Sequence, residues 1–402
     1  MSLFYSSASF FIVILVFSQN AFTESYSYKT LDSQGENAWT VQESNLEVKT
    51  DVSAEDSFAR LKVDRKGLSW GEAFKQNPQL KTLANIAVIG DTGCRLKESK
   101  LSSTYQDCSD LKQWRFPQVI ESLAKENPNL IVHVGDYHYR EQCSPGKPCQ
   151  KMSAVTGYGW EPWKLDFFEP SKKALGEAPW VIVRGNHEDC QRAQLGYHKL
   201  LSAVPWKSSC DEFEATQVIE LGDIAIVNLD SSAISDMPQF NSEAQNIWKV
   251  RVAEVSEKLK TVKAKHIWLF THKPIYGLVP LGKGYAPLNV NLRQAYEAAE
   301  WSKRVEVIFG GHVHNSQLVR VKGGPLQVVI GNGGTALDKS SSPVSAENLA
   351  AVNYEKAKLV DHDFGYAMLK GLRSQNPTVE FHDSVGALVF SCHLQDAGKD
   401  CF

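Results

Sequence analysis

The chain has 402 residues, 43% of them hydrophobic and 22% charged, with a net charge of −3. That is the make-up of a soluble globular protein long enough to bury a sizeable core. So small a net charge, with no basic stripe along the sequence, excludes a strong field for nucleic acid or anionic membrane, and no repeat or low-complexity tract points to a fibrous or disordered chain.

At the start of the chain Phe10 to Phe17 is an apolar run, too short for a membrane span of roughly 20 residues. Small residues follow near Ser18 and Ala21, so residues 1–23 read as a secretory signal, although no Lys or Arg precedes the run. The expected location is therefore secreted or periplasmic, with no stable membrane anchor after cleavage. Export favours disulfides among the eight cysteines. Pairing sequence neighbours gives Cys94–Cys108, Cys143–Cys149, Cys190–Cys210 and Cys392–Cys401, with connectivity left open by spacing alone. A thiolate metal site is the rival, but no close Cys-x-x-Cys pair occurs.

Residues 24–80 are polar and mixed. Trp39 to Gln42 and Leu46 to Lys49 alternate like short exposed strands, and the stretch reads as an accessory region without a ligand cluster. The main domain is assigned to residues 81–402. It opens with a strand, Ile86 to Ile89, then an amphipathic helix from Leu111 to Lys125 ended by Asn127-Pro128, and a second strand from Leu130 to Val134. This β-helix-β step favours a sheet covered by helices. Glu141 to Pro170, rich in Cys, Pro, Gly and Trp, reads as a long insertion at the rim. Trp180 to Val183 is a strand. Gln217 to Leu221 and Ile224 to Leu229, split by Gly222-Asp223, read as a hairpin. Asn241 to Lys260 is helical, with Ser242 and Gln245 resembling a capping box. Strands at His266 to Phe270 and Val305 to Phe309 flank a helix at Leu292 to Trp301. Paired strands follow at Gln317 to Val321 and Gln327 to Ile330, and further strands at Gly365 to Leu372, Thr378 to His382 and Ala387 to Cys392.

Apolar strands in this series end on polar side chains. The exits are Gly90-Asp91, Gly135-Asp136 with Tyr139 three residues on, Gly185-Asn186-His187, Thr271-His272 and Gly311-His312-Val313-His314. A carboxylate at the end of a buried strand is costly unless a cation or a hydrogen-bond network holds it, and sites on open α/β folds lie at such strand ends. Asp91, Asp136, Tyr139, Asn186, His272, His312 and His314 exceed the needs of one tetrahedral ion. They suit two ions sharing a bridging carboxylate. A phenolate favours a trivalent ion such as Fe(III); imidazole and amide suit Fe(II), Zn or Mn. Two adjacent ions suit phosphoryl transfer.

Taken in order, Asp91-Thr-Gly93, Gly135-Asp136-Tyr-His-Tyr139, Gly185-Asn186-His187-Glu188, Leu269-Phe-Thr-His272 and Gly311-His312-Val-His314 resemble the blocks of the calcineurin-like metallophosphoesterases. In detail they are similar to the purple acid phosphatases. Tyr139 marks that branch, as does Gly93 where many other members carry a histidine. Leu269 replaces the Val usual in the family, a change that touches no ligand. The resemblance covers about Asn85 to Thr335. It implies an α/β (α+β) fold, a four-layer α/β/β/α sandwich of two mixed sheets with helices outside and a dinuclear metal site at the strand C-terminal ends. It implies Asp91, Tyr139 and His314 on an Fe(III) ion, Asn186, His272 and His312 on a second ion, and Asp136 bridging both. His187 would face the substrate phosphate as a proton donor or ligand, suited to mildly acid conditions, and a metal-bound hydroxide would attack phosphorus.

The remaining candidates have plainer readings. His133 falls within a strand and reads as a packed core histidine. His138 matches no ligand position and is placed at the rim, in contact with substrate, or in packing. His198 and His266 read as structural or surface residues, Arg184 as structural, and Glu188 as a carboxylate supporting an imidazole. Asp230 and Asn315 lie near strand exits without a ligand role. Tyr158, Trp160 and Trp163 read as packing or as the substrate mouth. The expected function is an exported phosphatase acting on small phosphomonoesters. A phosphodiesterase or nucleotide pyrophosphatase would share every ligand, and a non-catalytic secreted metal-binding protein is the third reading. No pattern sets an oligomeric state.

Overall fold

The side chains of strand Asn85–Ile89 alternate between two interiors. Ile86 and Val88 enter one cluster of buried residues, Ala87 and Ile89 another. Strands apolar on both faces need cover on both sides, and the computed structural model supplies it. It describes residues 22–44, 53–97, 104–144, 146–152, 155–204, 207, 209–237, 242–281, 284–339, 344–345, 349, 354–361, 363–395 and 398–402. The expected signal's apolar run and the strand expected at Leu46 to Lys49 lie outside the described residues.

Among the described residues two large mixed sheets form. The nine-stranded sheet runs Leu388–His393, Thr378–Asp383, Gly365–Lys370, Asn85–Ile89, Leu130–His133, Trp180–Ile182, Phe22–Asp32, Gly35–Ser44, Leu61–Ser69. The seven-stranded sheet runs Tyr354–Asp361, Ser316–Val321, Leu326–Ile330, Val305–Gly310, His266–Phe270, Ile224–Asn228, Gln217–Leu221. The strands that lead to the candidate donors are parallel. Ile86 pairs with Leu130 and Ile131 with Trp180 in one sheet, and Phe270 pairs with Phe309 in the other, so their exits emerge on one side of each sheet.

The sheets pack face to face. Val88, Val132 and Val181 share a cluster with Ile226, Phe270, Phe309 and Val328. Helices Phe116–Lys125 and Glu169–Glu177 cover the outside of the first sheet; Ser242–Leu259 and Val290–Glu297 cover the second. The result is the four-layer α/β/β/α sandwich that the family resemblance implied.

Several local expectations change. The first helix starts at Phe116, with Pro117 in its first turn, rather than at Leu111. Residues before it turn around Asp110, and Trp114 donates from Nε1 to the Thr92 carbonyl at 2.8 Å. The helix expected to run to Trp301 closes at Glu297 and gives way to a short 3-10 turn, Glu300–Arg304. The exposed strand expected at Trp39 to Gln42 has one buried face. Trp39 and Val41 are buried, Trp39 stacks on Tyr28, and these strands join the first sheet where Thr30 pairs with Trp180. The segment read as a rim insertion is core in its later part, where Trp160, Trp163, Phe167 and Phe168 are fully buried, while residues 142–144 and 146–148 are exposed or half-buried. All four neighbour disulfides form, at Cys94–Cys108, Cys143–Cys149, Cys190–Cys210 and Cys392–Cys401.

Candidate metal centre

Three of the exit residues take left-handed backbone conformations, Asp91 at φ 56°, Asp136 at 58° and His312 at 69°. Such a conformation costs a non-glycine residue on the order of 1 kcal/mol and persists only where neighbours over-determine it. Here they do. Asp91 N–H donates to the Gly135 carbonyl at 3.0 Å and Thr92 N–H to the Asp136 carbonyl at 3.0 Å. Glu188 accepts at one carboxylate oxygen from the N–H groups of Tyr137 and His138, at 3.0 and 3.2 Å. Its other oxygen accepts from Asp136 at 3.1 Å and Gly185 at 3.2 Å. The imidazole-supporting role expected of Glu188 is therefore replaced: it clamps the backbone of two exits. The exits approach so closely that a Cβ on Gly185 would lie 2.1 Å from Asp136 N, and one on Gly311 would lie 2.3 Å from Asp91 Oδ2.

The seven expected donors converge. On one side Tyr139 Oη lies 3.1 Å from Asp91 Oδ1 and 2.9 Å from His314 Nε2. On the other, His272 Nε2 lies 3.0 Å from Asn186 Oδ1, and the His272 and His312 rings are 5.1 Å apart. Asp136 Oδ2 touches both groups, 2.8 Å from Tyr139 Oη and 3.2 Å from His272 Nε2. Ligand atoms of Asp136, His272 and His312 lie within 4.8 Å of one another. Each imidazole has its other nitrogen engaged: His272 Nδ1 with the Val134 carbonyl at 2.8 Å, His314 Nδ1 with the Ala336 carbonyl at 3.0 Å, and His312 Nε2 with Asp236 at 3.0 Å. This leaves one ring nitrogen of each for a cation, the arrangement that fixes the tautomer of a metal ligand.

The electrostatics fit cations as well. Burial pushes the Asp91 carboxyl well above its ordinary range, and the Asp136 charge adds to this. Burial also acts to raise Asp136, but the charges of His272 and His187 hold it well below the carboxylate range. Burial, with Asp136 and Asp91, drives the Tyr139 phenol far up. Two buried carboxylates flanking a phenol form a site that positive charge would relieve, with release of protons. The donor set, hard oxygens on one side and imidazole plus amide on the other, fits two metal ions.

His187 lies beside this cluster rather than in it. Its N–H donates to Asp136 Oδ1 at 2.8 Å, and its Nε2 lies 3.8 Å from Asp136 Oδ2. Nδ1 is 2.9 Å from Glu141, and Arg192 Nη2 is 3.0 Å from the ring. Burial lowers His187 to about 3, against the pull of Asp136 and with the help of the Arg192 charge. Burial therefore works against the mildly acid titration expected of it.

Glu141 and Arg192 were not singled out by sequence, nor were Arg95, Asp166, Asp236 and Lys273. Asp166 holds the N–H groups of Cys94, Tyr139 and Arg140, at 3.1, 2.7 and 2.9 Å. Asp236 binds Lys273 Nζ at 2.7 Å as well as His312. Glu141, Arg192 and Arg95 do sit a few residues after exits, the only signal that could have flagged them. The other candidates fall outside the cluster. His133 packs on Tyr137 at 3.9 Å in the core. His138 is buried beside Trp163, not at a rim. Arg184 donates to carbonyls of Glu188 and Asp211, Asp230 accepts from Glu214 N–H, and Asn315 accepts from Gln317. His198 lies 3.5 Å from Glu214, and exposed His266 pairs with Glu306.

Comparison with known proteins bears on this site. A sequence model described as calcineurin-like phosphoesterase matches residues 84–316. "Purple acid phosphatase 23" of Arabidopsis thaliana is 26% identical over 239 residues, covering 54% of this chain and 48% of that protein. "Phosphoenolpyruvate phosphatase" of Allium cepa is 23% identical over 290 residues, covering 65% and 51%. The chain thus spans about half the length of the curated relatives it matches. Among solved structures, purple acid phosphatase PPD1 from yellow lupin seeds superposes with a TM-score of 0.51 at 16% identity, covering 89% of this chain and 59% of that one; this is a likeness of fold.

Proposed function

The chain belongs to the calcineurin-like phosphoesterase family, and from that membership we propose that it is an exported, dinuclear-metal phosphatase of purple acid phosphatase type that hydrolyses phosphomonoesters. The observation that carries the reading is the contact of Asp136 Oδ2 with both Tyr139 Oη and His272 Nε2, where one carboxylate serves two clusters of donors. Asp91, Tyr139 and His314 would hold one ion, an Fe(III). Asn186, His272 and His312 would hold the other, Fe(II), Zn or Mn, with Asp136 shared. When bound, the ions supply neutralising charge for the phosphoryl oxygens and an activated water as nucleophile.

The protein's own groups orient the ester. Glu141, held low at about 2, in spite of burial, by His187 and Arg192, accepts from His187 Nδ1 and turns Nε2 toward the centre. A phosphate dianion there raises the His187 pKa, which loads Nε2 with the proton a departing alkoxide takes. Arg192 fixes Glu141 and the Asn186 carbonyl, at 2.6 and 3.1 Å. Export is supported by the four disulfides and by the leader expected from sequence.

The test is a panel of phosphomonoesters, phosphodiesters and diphosphates with wild type and Asp136→Asn, alongside metal analysis. Monoesters should lead diesters in kcat/KM, and Asp136→Asn should abolish turnover. A ten-fold or greater preference for diesters would sink the monoester assignment. Absence of any turnover by the metal-loaded wild type would favour a binding protein.

A further inference from the structure

Among the described residues, Arg192, Lys273 and Arg95 border the metal centre, and the first two have their charge answered. Arg192 lies on Glu141 at 2.6 Å, and Lys273 on Asp236 at 2.7 Å. Arg95 stands on the Tyr139 and His314 side. Its Nη1 is 3.5 Å from His314 Nδ1, and its guanidinium carbon is 5.8 Å from the centre of the Tyr139 ring. Among the described residues no carboxylate lies within ion-pair distance of it, and its buried Nε has no partner. His314 Nδ1 gives no relief, because its hydrogen goes to the Ala336 carbonyl. A guanidinium carries five donors, and leaving the buried Nε among them without a partner is costly.

The arginine is also held in place. Cys94, one residue before it, is tied to Cys108 and donates its N–H to Asp166 at 3.1 Å. Arg95 N–H donates to Gln106 Oε1 at 2.7 Å, and Gln106 N–H donates back to the Arg95 carbonyl at 2.9 Å. Leu96 N–H is bound to the Tyr139 carbonyl at 3.0 Å. A fixed backbone lowers the ordering that an anion would have to impose. The side chain is only partly buried, so its donors stay within reach of a ligand.

From this, we propose that Arg95 is a specificity-determining residue that binds a second anionic group of the substrate, a carboxylate or a second phosphate, beside the phosphoryl group at the metal centre. The proposal rests on the phosphatase reading above. A bidentate guanidinium contact matches either anion.

The experiment compares phenyl phosphate, with no second anion, to phosphoglycolate and pyrophosphate, in wild type, Arg95→Gln and Arg95→Lys holoenzyme. Wild type should prefer one of the doubly anionic substrates, and which one identifies the anion. Arg95→Gln should lower that preference in kcat/KM about ten-fold or more, through KM, and Arg95→Lys should restore part of it. By calorimetry phosphonoacetate, which carries a carboxylate, should bind Arg95→Gln about ten-fold more weakly, with methylphosphonate far less affected. Parallel loss on all substrates and both phosphonates would overturn the proposal and leave Arg95 as a prop for Tyr139 and His314; so would an unchanged preference. Failure of wild type to hydrolyse phenyl phosphate would instead refute the phosphatase reading, while the calorimetry still decides Arg95.

Discussion

Replacing Glu188 by glutamine turns one carboxylate oxygen into an NH2 group at the point where two strand exits are clamped together. Whichever oxygen is lost, two backbone N–H donors lose their acceptor: Tyr137 and His138, or Asp136 and Gly185. Both would then face another donor in a fully buried site. An unsatisfied buried donor costs about 1–3 kcal/mol, so the substitution should destabilise the protein by roughly 2–6 kcal/mol, a large part of the roughly 5–15 kcal/mol that holds a folded protein together. The left-handed turn at Asp136 would be free to relax at the same time. Urea unfolding of the metal-free, disulfide-intact protein, followed by tryptophan fluorescence, measures the difference without metal linkage. Burial and the Asp136 charge push the Glu188 carboxyl well above its ordinary range, against the opposing N–H groups of Tyr137 and His138. A loss below about 1 kcal/mol would mean that the displaced N–H groups keep an acceptor, and the clamp as drawn would be wrong.

Glu214 gives a pH test elsewhere in the fold. Burial, then the Asp230 charge, pushes it up to about 7 from an ordinary 4.5, so between those values the folded state binds the extra proton. Its contribution to stability is therefore fully present below pH 4.5 and declines by about 3 kcal/mol as pH rises through 7; unfolding midpoints at pH 5 and 8 should show a fall in wild type that Glu214→Gln reduces, and equal slopes in the two proteins would refute it. Tyr139→Phe should abolish a visible phenolate-to-Fe(III) absorption band in the iron-loaded protein; a colourless wild type active with Zn or Mn alone would remove the iron assignment.

Short-range patterns carried much of the fold. Continuous apolar runs such as Leu130 to Val134 marked strands buried on both faces, and a polar residue at the end of each marked where a site would form. The candidate donors Asp91, Asp136, Tyr139, Asn186, His272, His312 and His314 could be picked out because they follow five strand exits, and pairing neighbouring cysteines named the four disulfides that form, although spacing alone left their connectivity open. Helix starts were less legible: Pro117 and the capture of Trp114 by Thr92 moved one of them by several residues.

The sequence by itself determined which polar residues end the apolar strands, their order, and that helices cover a sheet, since these follow from local periodicity and from what an apolar strand can end on; the four-layer arrangement was implied by the family resemblance. Only the tertiary structure decided that residues 22–44 continue the first sheet, that Trp160 to Phe168 are core, and that Glu188 binds backbone rather than an imidazole. It alone placed Glu141, Arg192, Asp236 and Arg95 around the centre. Those contacts join positions on different loops, and their geometry depends on how two sheets meet, which no period of two or 3.6 residues records.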